Sequence, residues 1–469
     1  MITVLTHRLH HLYLLLALLF GVAFLLLTPP SQVPDESSHA AKIGFMYHGF
    51  YLGAPSDARI PNVIEPLQST RYRPLSTDAA RVTSLFDQRL DCESASSFTP
   101  RSAAAYSPLP YLLPTANLHV ACAMGASQGY FIYGSRLLNL LLAATLTWLA
   151  IGALPFGKWA MMAVALLPMT LFQTASLSAD SLTFAVSFLF IALVLRHATD
   201  GRPITGRQVL GLVAVSGCLA LNKPGAIWLY PLFLLLWPAY RGRLGSFLGL
   251  GLVVIGLPGL VHLLFVSLAT SPEYAVINRG VGANPTENLQ LIIEQPVRFL
   301  GVLFDTYVSS NGRWLYASLV GNLGLLSIAP SPLLLVSATL AMLLSVVVNP
   351  PSALPTPQWP LRTLALTLSA AMLVILAVPL YLTWTPAGAD IVHGLQGRYF
   401  IPVAALFLIG LSMPLPRQRL RVALSGLTLV CIVVSLTVAT VALIRAYWLA
   451  SASRDRQLSE TPIHTPRWR

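Results

Sequence analysis

The stretch Pro34-Asp35-Glu36-Ser37-Ser38-His39 sets two adjacent carboxylates within one helical turn of an imidazole. Proline at the first helical position and acids in the first turn favour a helix start, and on that helix Asp35 and His39 share a face. A carboxylate beside an imidazole can accept a proton from a hydroxyl, or hold a divalent cation against a phosphate. Asp35 is the preferred base, with Glu36 and His39 as the other candidate catalytic groups, and Lys42 adds a cation for a bound anion. The plain structural reading is that Asp35 and Glu36 satisfy the helix dipole while His39 and Lys42 sit at lipid headgroups.

Three further motifs each place one charge at the end of an apolar run: Ser178-Ala179-Asp180, Asn222-Lys223-Pro224 and Gln396-Gly397-Arg398-Tyr399. Taken singly, Asp180 reads equally well as a helix N-cap, and Lys223 and Arg398 as cations reaching for the membrane surface. Taken together with Asp35 they form one rim of carboxylates and cations, which suits a phosphorylated lipid and a hydroxyl acceptor. Tyr106, in Tyr106-Ser107-Pro108-Leu109-Pro110-Tyr111, and Tyr399 add rings that can stack on a sugar or belong to an interfacial aromatic belt. The candidate substrate-binding set is therefore Lys42, Tyr106, Asp180, Lys223, Arg398 and Tyr399. If a divalent cation such as Mg or Mn is bound, Asp35 and Asp180 are its candidate ligands.

These residues need a scaffold, and the composition dictates its kind. Of 469 residues, 55% are hydrophobic and 10% charged, against about 25% charged in a soluble domain, which excludes a soluble enzyme. The expected fold is an all-α integral membrane protein, a single polytopic domain over residues 1–469. Apolar runs of spanning length predict about eleven transmembrane helices, near 12–28, 136–154, 159–173, 179–196, 208–222, 225–240, 245–269, 331–348, 363–383, 398–414 and 421–445. The first run is read as a retained helix, since no small-residue cleavage pattern precedes Pro29 and Pro30.

With the N-terminus cytoplasmic, the inner loops collect Arg8, Lys158, Arg196, Arg202, Arg207, Arg241, Arg243, Arg362, Arg417, Arg419 and Arg421. That asymmetry is the positive-inside signal. It places two long loops outside, 29–135 and 270–330, and leaves 446–469 as a short polar tail. Counting the apolar run 108–124 as a span would invert every later loop, so it is read as an interfacial or re-entrant helix, and 289–315 as lying along the outer surface. Asp390, His393, Glu273 and Arg313 add titratable groups to that face.

The net charge of +12 is scattered over short loops rather than gathered in a nucleic-acid-binding patch. The cysteines show no metal-ligand spacing, and a Cys92 to Cys122 disulfide is neither required nor forbidden by the sequence. No internal repeat of the kind common in transporters is evident.

In their order along the chain, Pro34-Asp35-Glu36 with His39, Tyr106 to Tyr111, Ser178-Ala179-Asp180, Asn222-Lys223-Pro224 and Gln396-Gly397-Arg398-Tyr399-Phe400 resemble the bacterial membrane family called domain of unknown function 2142. That family is similar in layout to the GT-C glycosyltransferases. The resemblance implies a GT-C-like architecture in a bacterial cytoplasmic membrane, with a polyprenyl-phosphate-linked sugar as donor and a cell-envelope glycan or lipid as acceptor. The acidic role of the first outer loop would fall on Asp35 or Glu36, and the donor phosphate on Arg398 and Lys223. Two other functions fit the same residues: a carrier or flippase of a lipid-linked precursor, and a non-catalytic partner in envelope-glycan assembly.

Overall fold

The computed structural model describes residues 8–52, 59–61, 79–93, 95–97, 103, 106–223, 226–269, 282–351 and 359–449. Among the described residues, six helices are long and apolar enough to cross a membrane: Leu9–Leu27, Gln128–Ala153, Asp180–Asp200, Leu244–Ala269, Trp359–Trp384 and Gln418–Leu449. Four shorter apolar helices, Gly206–Ala220, Ala226–Tyr240, Pro332–Val347 and Gly397–Gly410, cover other expected spans. The last, 159–173, is a broken pair, Lys158–Ala165 and Pro168–Thr174.

Proline explains the irregularities. Leu167 is extended at φ −58° and ψ 139° because a residue before proline is pushed out of the α region, and Pro168 then opens the next helix. In Leu244–Ala269 a π turn occupies Leu252–Gly256, just before Pro258, whose ring cannot fit against an α-helical carbonyl four residues back. Ala226–Tyr240 is wound as a 3-10 helix and contains Pro231 and Pro238.

Contacts between distant segments establish two ends. At one, the Trp448 indole donates to the Leu27 carbonyl (2.9 Å), Asn139 to that of Ser176 (2.8 Å), and the Gly397 amide to Ser318 Oγ (2.8 Å). At the other, the Gly157 amide donates to Asn349 Oδ1 (3.0 Å), Arg362 to the Ser412 carbonyl (3.3 Å), and the Trp148 indole to His11 (3.3 Å). The chain passes back and forth between these ends, and the second carries the arginine-rich connections. Leu15, Leu19, Leu248, Leu252 and Leu263 point outward at 61–65% exposure, a pattern that water would penalise and lipid tolerates.

The segment 108–124 holds no helix of spanning length. After a single 3-10 turn, Leu112–Ala123 is only twelve residues long, and it packs beside Glu36–Tyr47 and Gln128–Ala153 at the Trp448 end. Cys122 at its close is disulfide-bonded to Cys92. Ala79–Asp87 packs against Gln128–Ala153, and a departure from an all-helical reading, the antiparallel strands Arg59–Pro61 and Ala95–Ser97, sits beside Glu36–Tyr47. The second long loop forms three short helices, Pro285–Glu294, Pro296–Val308 and Ser310–Val320.

Of the boundaries that differ from expectation, two bear on the loops and tail. The second span begins at Gln128, roughly two turns before residue 136, with Ser127 as an N-cap accepting from the Tyr130 amide (3.2 Å). The last helix runs on to Leu449, so the expected tail starts later, and its residues 450–469 lie outside the described residues.

Candidate functional site

The two adjacent carboxylates at the start of Glu36–Tyr47 have separate surroundings. Glu36 is fully buried and receives Arg136 in a bidentate pair, Nε to Oε1 at 2.8 Å and Nη2 to Oε2 at 2.6 Å. The Ser31 amide (2.9 Å) and the Leu177 amide (3.3 Å) complete its shell. Arg136 spends its other donors on the carbonyls of Leu25 (3.3 Å), Thr28 (2.6 Å) and Pro29 (3.1 Å), which the end of the first span leaves without helical partners. Glu36 and Arg136 thus bolt together the first span, the Glu36–Tyr47 helix, the Gln128–Ala153 helix and the Leu177 turn. This is a structural task, different from the base or ligand role expected of Glu36.

Asp35 points elsewhere. Its backbone is left-handed at φ 63°, a conformation uncommon outside glycine, and its side chain does not cap the helix it precedes. Instead the half-exposed carboxylate, 49% accessible, pairs with the wholly buried guanidinium of Arg398. The helix-dipole reading of Asp35 therefore does not describe what its side chain does. Non-glycine residues held in this conformation cluster at functional sites.

Behind Asp35 the charges alternate. Arg398 also lies 3.2 Å from Asp180 Oδ2 and donates to the Pro34 carbonyl (3.2 Å), and Asp180 Oδ1 meets Lys223 Nζ at 2.5 Å. Asp180 is the first residue of its helix, with Ala179 in the N-cap place that the sequence reading gave to Asp180, and its carboxylate is turned to the two cations. Asn222 steadies the Lys223 turn by accepting from Thr183 Oγ1 at 2.8 Å. Arg398 can be seated so deeply only because residue 397 is glycine. A Cβ there would lie 2.0 Å from the Leu315 carbonyl oxygen and 2.2 Å from the Leu319 nitrogen.

Aromatic rings flank the cations. Lys223 Nζ stands 5.6 Å from the Tyr106 ring centre and 5.8 Å from that of Tyr399, and the Arg398 guanidinium 5.3 Å from Tyr399, all within cation–π range. Asp35, His39, Tyr106, Asp180, Lys223, Arg398 and Tyr399 are thereby gathered in one place. Lys42 is anchored at the other end of the Glu36–Tyr47 helix, donating to the Tyr51 carbonyl (2.9 Å), and burial pushes its ammonium down to about 8.

His39 is locked on both sides, Nδ1 to Tyr111 Oη at 2.7 Å and Nε2 to Ser178 Oγ at 3.3 Å; that hydroxyl in turn accepts from the Asp180 amide (3.1 Å). Burial, reinforced by the charge of Lys223, pushes its imidazole down to about 3. It is neutral at neutral pH and positions the Ser178-Ala179-Asp180 turn. The unfolded chain takes up a proton near its ordinary value of 6.5 that the folded imidazole refuses, so stability falls as pH drops from 6.5 towards 3. His39→Gln should flatten the acid limb of an unfolding-temperature profile in detergent between those values. An unchanged limb would show that His39 does not set it.

For Asp35, crowding opposes ionisation, but Arg398, with Lys223, holds the carboxyl below its ordinary range. Among the described residues no three His, Cys, Asp or Glu side chains come together as a metal site. The donor set at Asp35 and Asp180 fits a divalent cation poorly, because Arg398 stands between the two carboxylates.

Arg136 was not foreseen as a member of this assembly, and Tyr111 was foreseen only as part of an aromatic motif, not as the partner of His39. A lone arginine eight residues into an apolar helix was a usable signal for the first, since such a charge must find partners. No curated protein and no solved structure matches this chain. One family model does, over residues 18–407, and its description says only that its members are membrane proteins by prediction.

Proposed function

Since the chain belongs to the family of predicted membrane proteins DUF2142, we propose that it is a membrane glycosyltransferase of GT-C type. It moves a sugar from a polyprenyl-phosphate-linked donor to a hydroxyl of a cell-envelope glycan or lipid. The observation that carries this reading is the half-exposed Asp35 at the head of a buried row of alternating charges, with two cations behind it and tyrosine rings beside them.

In the reaction the acceptor oxygen attacks the anomeric carbon, the bond from that carbon to the phosphate oxygen breaks, and polyprenyl phosphate leaves with the electron pair. The hydroxyl proton passes to Asp35. Arg398 and Lys223 meet the charge that grows on the leaving phosphate. In the resting protein Arg398 holds Asp35 as a weak base. A donor phosphate that draws Arg398 towards itself weakens that hold and brings a second negative charge near, so Asp35 becomes more basic when substrate is present.

The site is assigned to the outer face of a bacterial cytoplasmic membrane. Two independent features support this: the arginine-rich connections lie at the opposite end of the bundle, and the Cys92–Cys122 disulfide, a bond that persists in an oxidising compartment, lies at the end of the site.

Binding of polyprenyl phosphate, the common part of all such donors, tests the assignment of the cations. Lys223→Gln and Arg398→Lys should each weaken it by about tenfold, the value of one charge-assisted hydrogen bond, in protein whose unfolding temperature shows that it is folded. Equal affinity of wild type and both variants would remove the phosphate from this place.

A further inference from the structure

At the opposite end of the bundle, among the arginine-rich connections, a cleft of about 380 Å3 opens between the helices Leu9–Leu27, Gln128–Ala153 and Asp180–Asp200. Leu149, Leu189 and Leu193 give it apolar walls, and His10, Trp148 and Arg196 complete the lining. Lys158 lies beside the cleft, its Nζ donating to the carbonyl of Gly152 in the lining (3.3 Å), and its charge acts on both Arg196 and His10. Neither cation has a carboxylate partner among the described residues, and Asp200, one turn beyond Arg196, acts on His197. His10 Nδ1 is buried with no hydrogen-bond partner among the described residues.

Two neighbouring cations without a counter-ion repel one another, and an anion between them relieves that repulsion. A soluble anion has no use for three leucines, whereas a lipid places its phosphate at the height of the cations and its acyl chain against the wall. Trp148 marks that height, as tryptophan prefers the headgroup level. We propose that this cleft binds one anionic phospholipid of the leaflet at the arginine-rich end. Its phosphate sits between Arg196 and Lys158 within reach of His10, and one acyl chain lies along Leu149, Leu189 and Leu193. The site is separate from the Asp35 cluster and does not depend on the activity proposed there.

The test uses full-length protein in detergent, with phosphatidylglycerol, phosphatidylcholine and inorganic phosphate as probes, read by native mass spectrometry and by unfolding temperature. Wild type should retain one phosphatidylglycerol and be stabilised by it, with little effect of the other two. Changing Arg196 and Lys158 together to Gln should lower the affinity on the order of tenfold, as expected for two interfacial cations. Gly152→Leu keeps both cations and fills the cleft, since Gly152 faces the His10 ring, and it should lose the lipid as well. Equal retention of phosphatidylcholine would overturn the anionic headgroup. Equal protection by inorganic phosphate would overturn the lipid, and retention by either variant would overturn the cleft.

Discussion

Asp35→Asn should yield a folded, membrane-inserted protein that has lost sugar transfer by about 100- to 10,000-fold, the range of general-base catalysis. The substitution keeps size and shape and removes only the charge and proton affinity. Little stability rests on this carboxylate, because it is half exposed and does not cap its helix. Arg398 keeps its contacts with Asp180 and the Pro34 carbonyl. Donor affinity should hold or rise, since Asp35 and the donor phosphate compete for the same guanidinium. The pattern to look for is therefore a fall in kcat with KM steady or lower, at equal folded yield. The wild-type profile has a signature of its own. Since the carboxyl lies below its ordinary range in the free protein, kcat/KM should show no acid limb from Asp35 at pH 5 or above, whereas kcat, which reports the loaded site, should show its acid limb at higher pH. An Asn variant with wild-type kcat would clear Asp35 of any part in the chemistry.

Glu36→Ala should do the reverse, damaging the fold and sparing the chemistry. Removing one partner of a buried ion pair leaves the other charge uncompensated, at about 3–5 kcal/mol, and here the stranded Arg136 also ties the end of the first span to its neighbours. The folded fraction should collapse and the unfolding temperature drop. Any molecules that do fold should transfer sugar within a few-fold of wild type. Pairing Glu36→Gln with Arg136→Met removes both charges and should recover much of the loss, because a buried pair replaced by apolar or neutral groups often comes out near neutral. A Glu36→Gln protein of wild-type stability and no activity would instead make Glu36 the catalytic carboxylate.

The contrast between these neighbours marks how far the residues could be read without the fold. The passages of the bundle were legible from apolar runs, and the gathering of Asp35, Asp180, Lys223 and Arg398 from the fact that each ends a run on the same side. Which of two adjacent acids faces the cations was not legible. Residues one apart on a helix point in different directions, and what each meets is set by partners 100 residues away, Arg136, and 363 residues away, Arg398. Pro168 was an available signal inside the run read as one span, 159–173, and its break went unread; the offset of Gln128 depends on packing of Leu112–Ala123 against that helix. His39 looked like a partner in proton transfer because of its spacing from Asp35. Its fixed contacts to Tyr111 and Ser178 come from elements that local spacing cannot relate to it.

The most direct measurement is product analysis. Purified wild type and Asp35→Asn would be incubated with polyprenyl-phosphate-linked sugars and a cell-envelope acceptor extract, and free polyprenyl phosphate and glycosylated product followed by mass spectrometry. Wild type should release polyprenyl phosphate in step with product, while Asp35→Asn should bind the donor and leave it intact. Donor bound by wild type with its sugar–phosphate bond never cleaved would contradict catalysis and make this protein a carrier of such lipids.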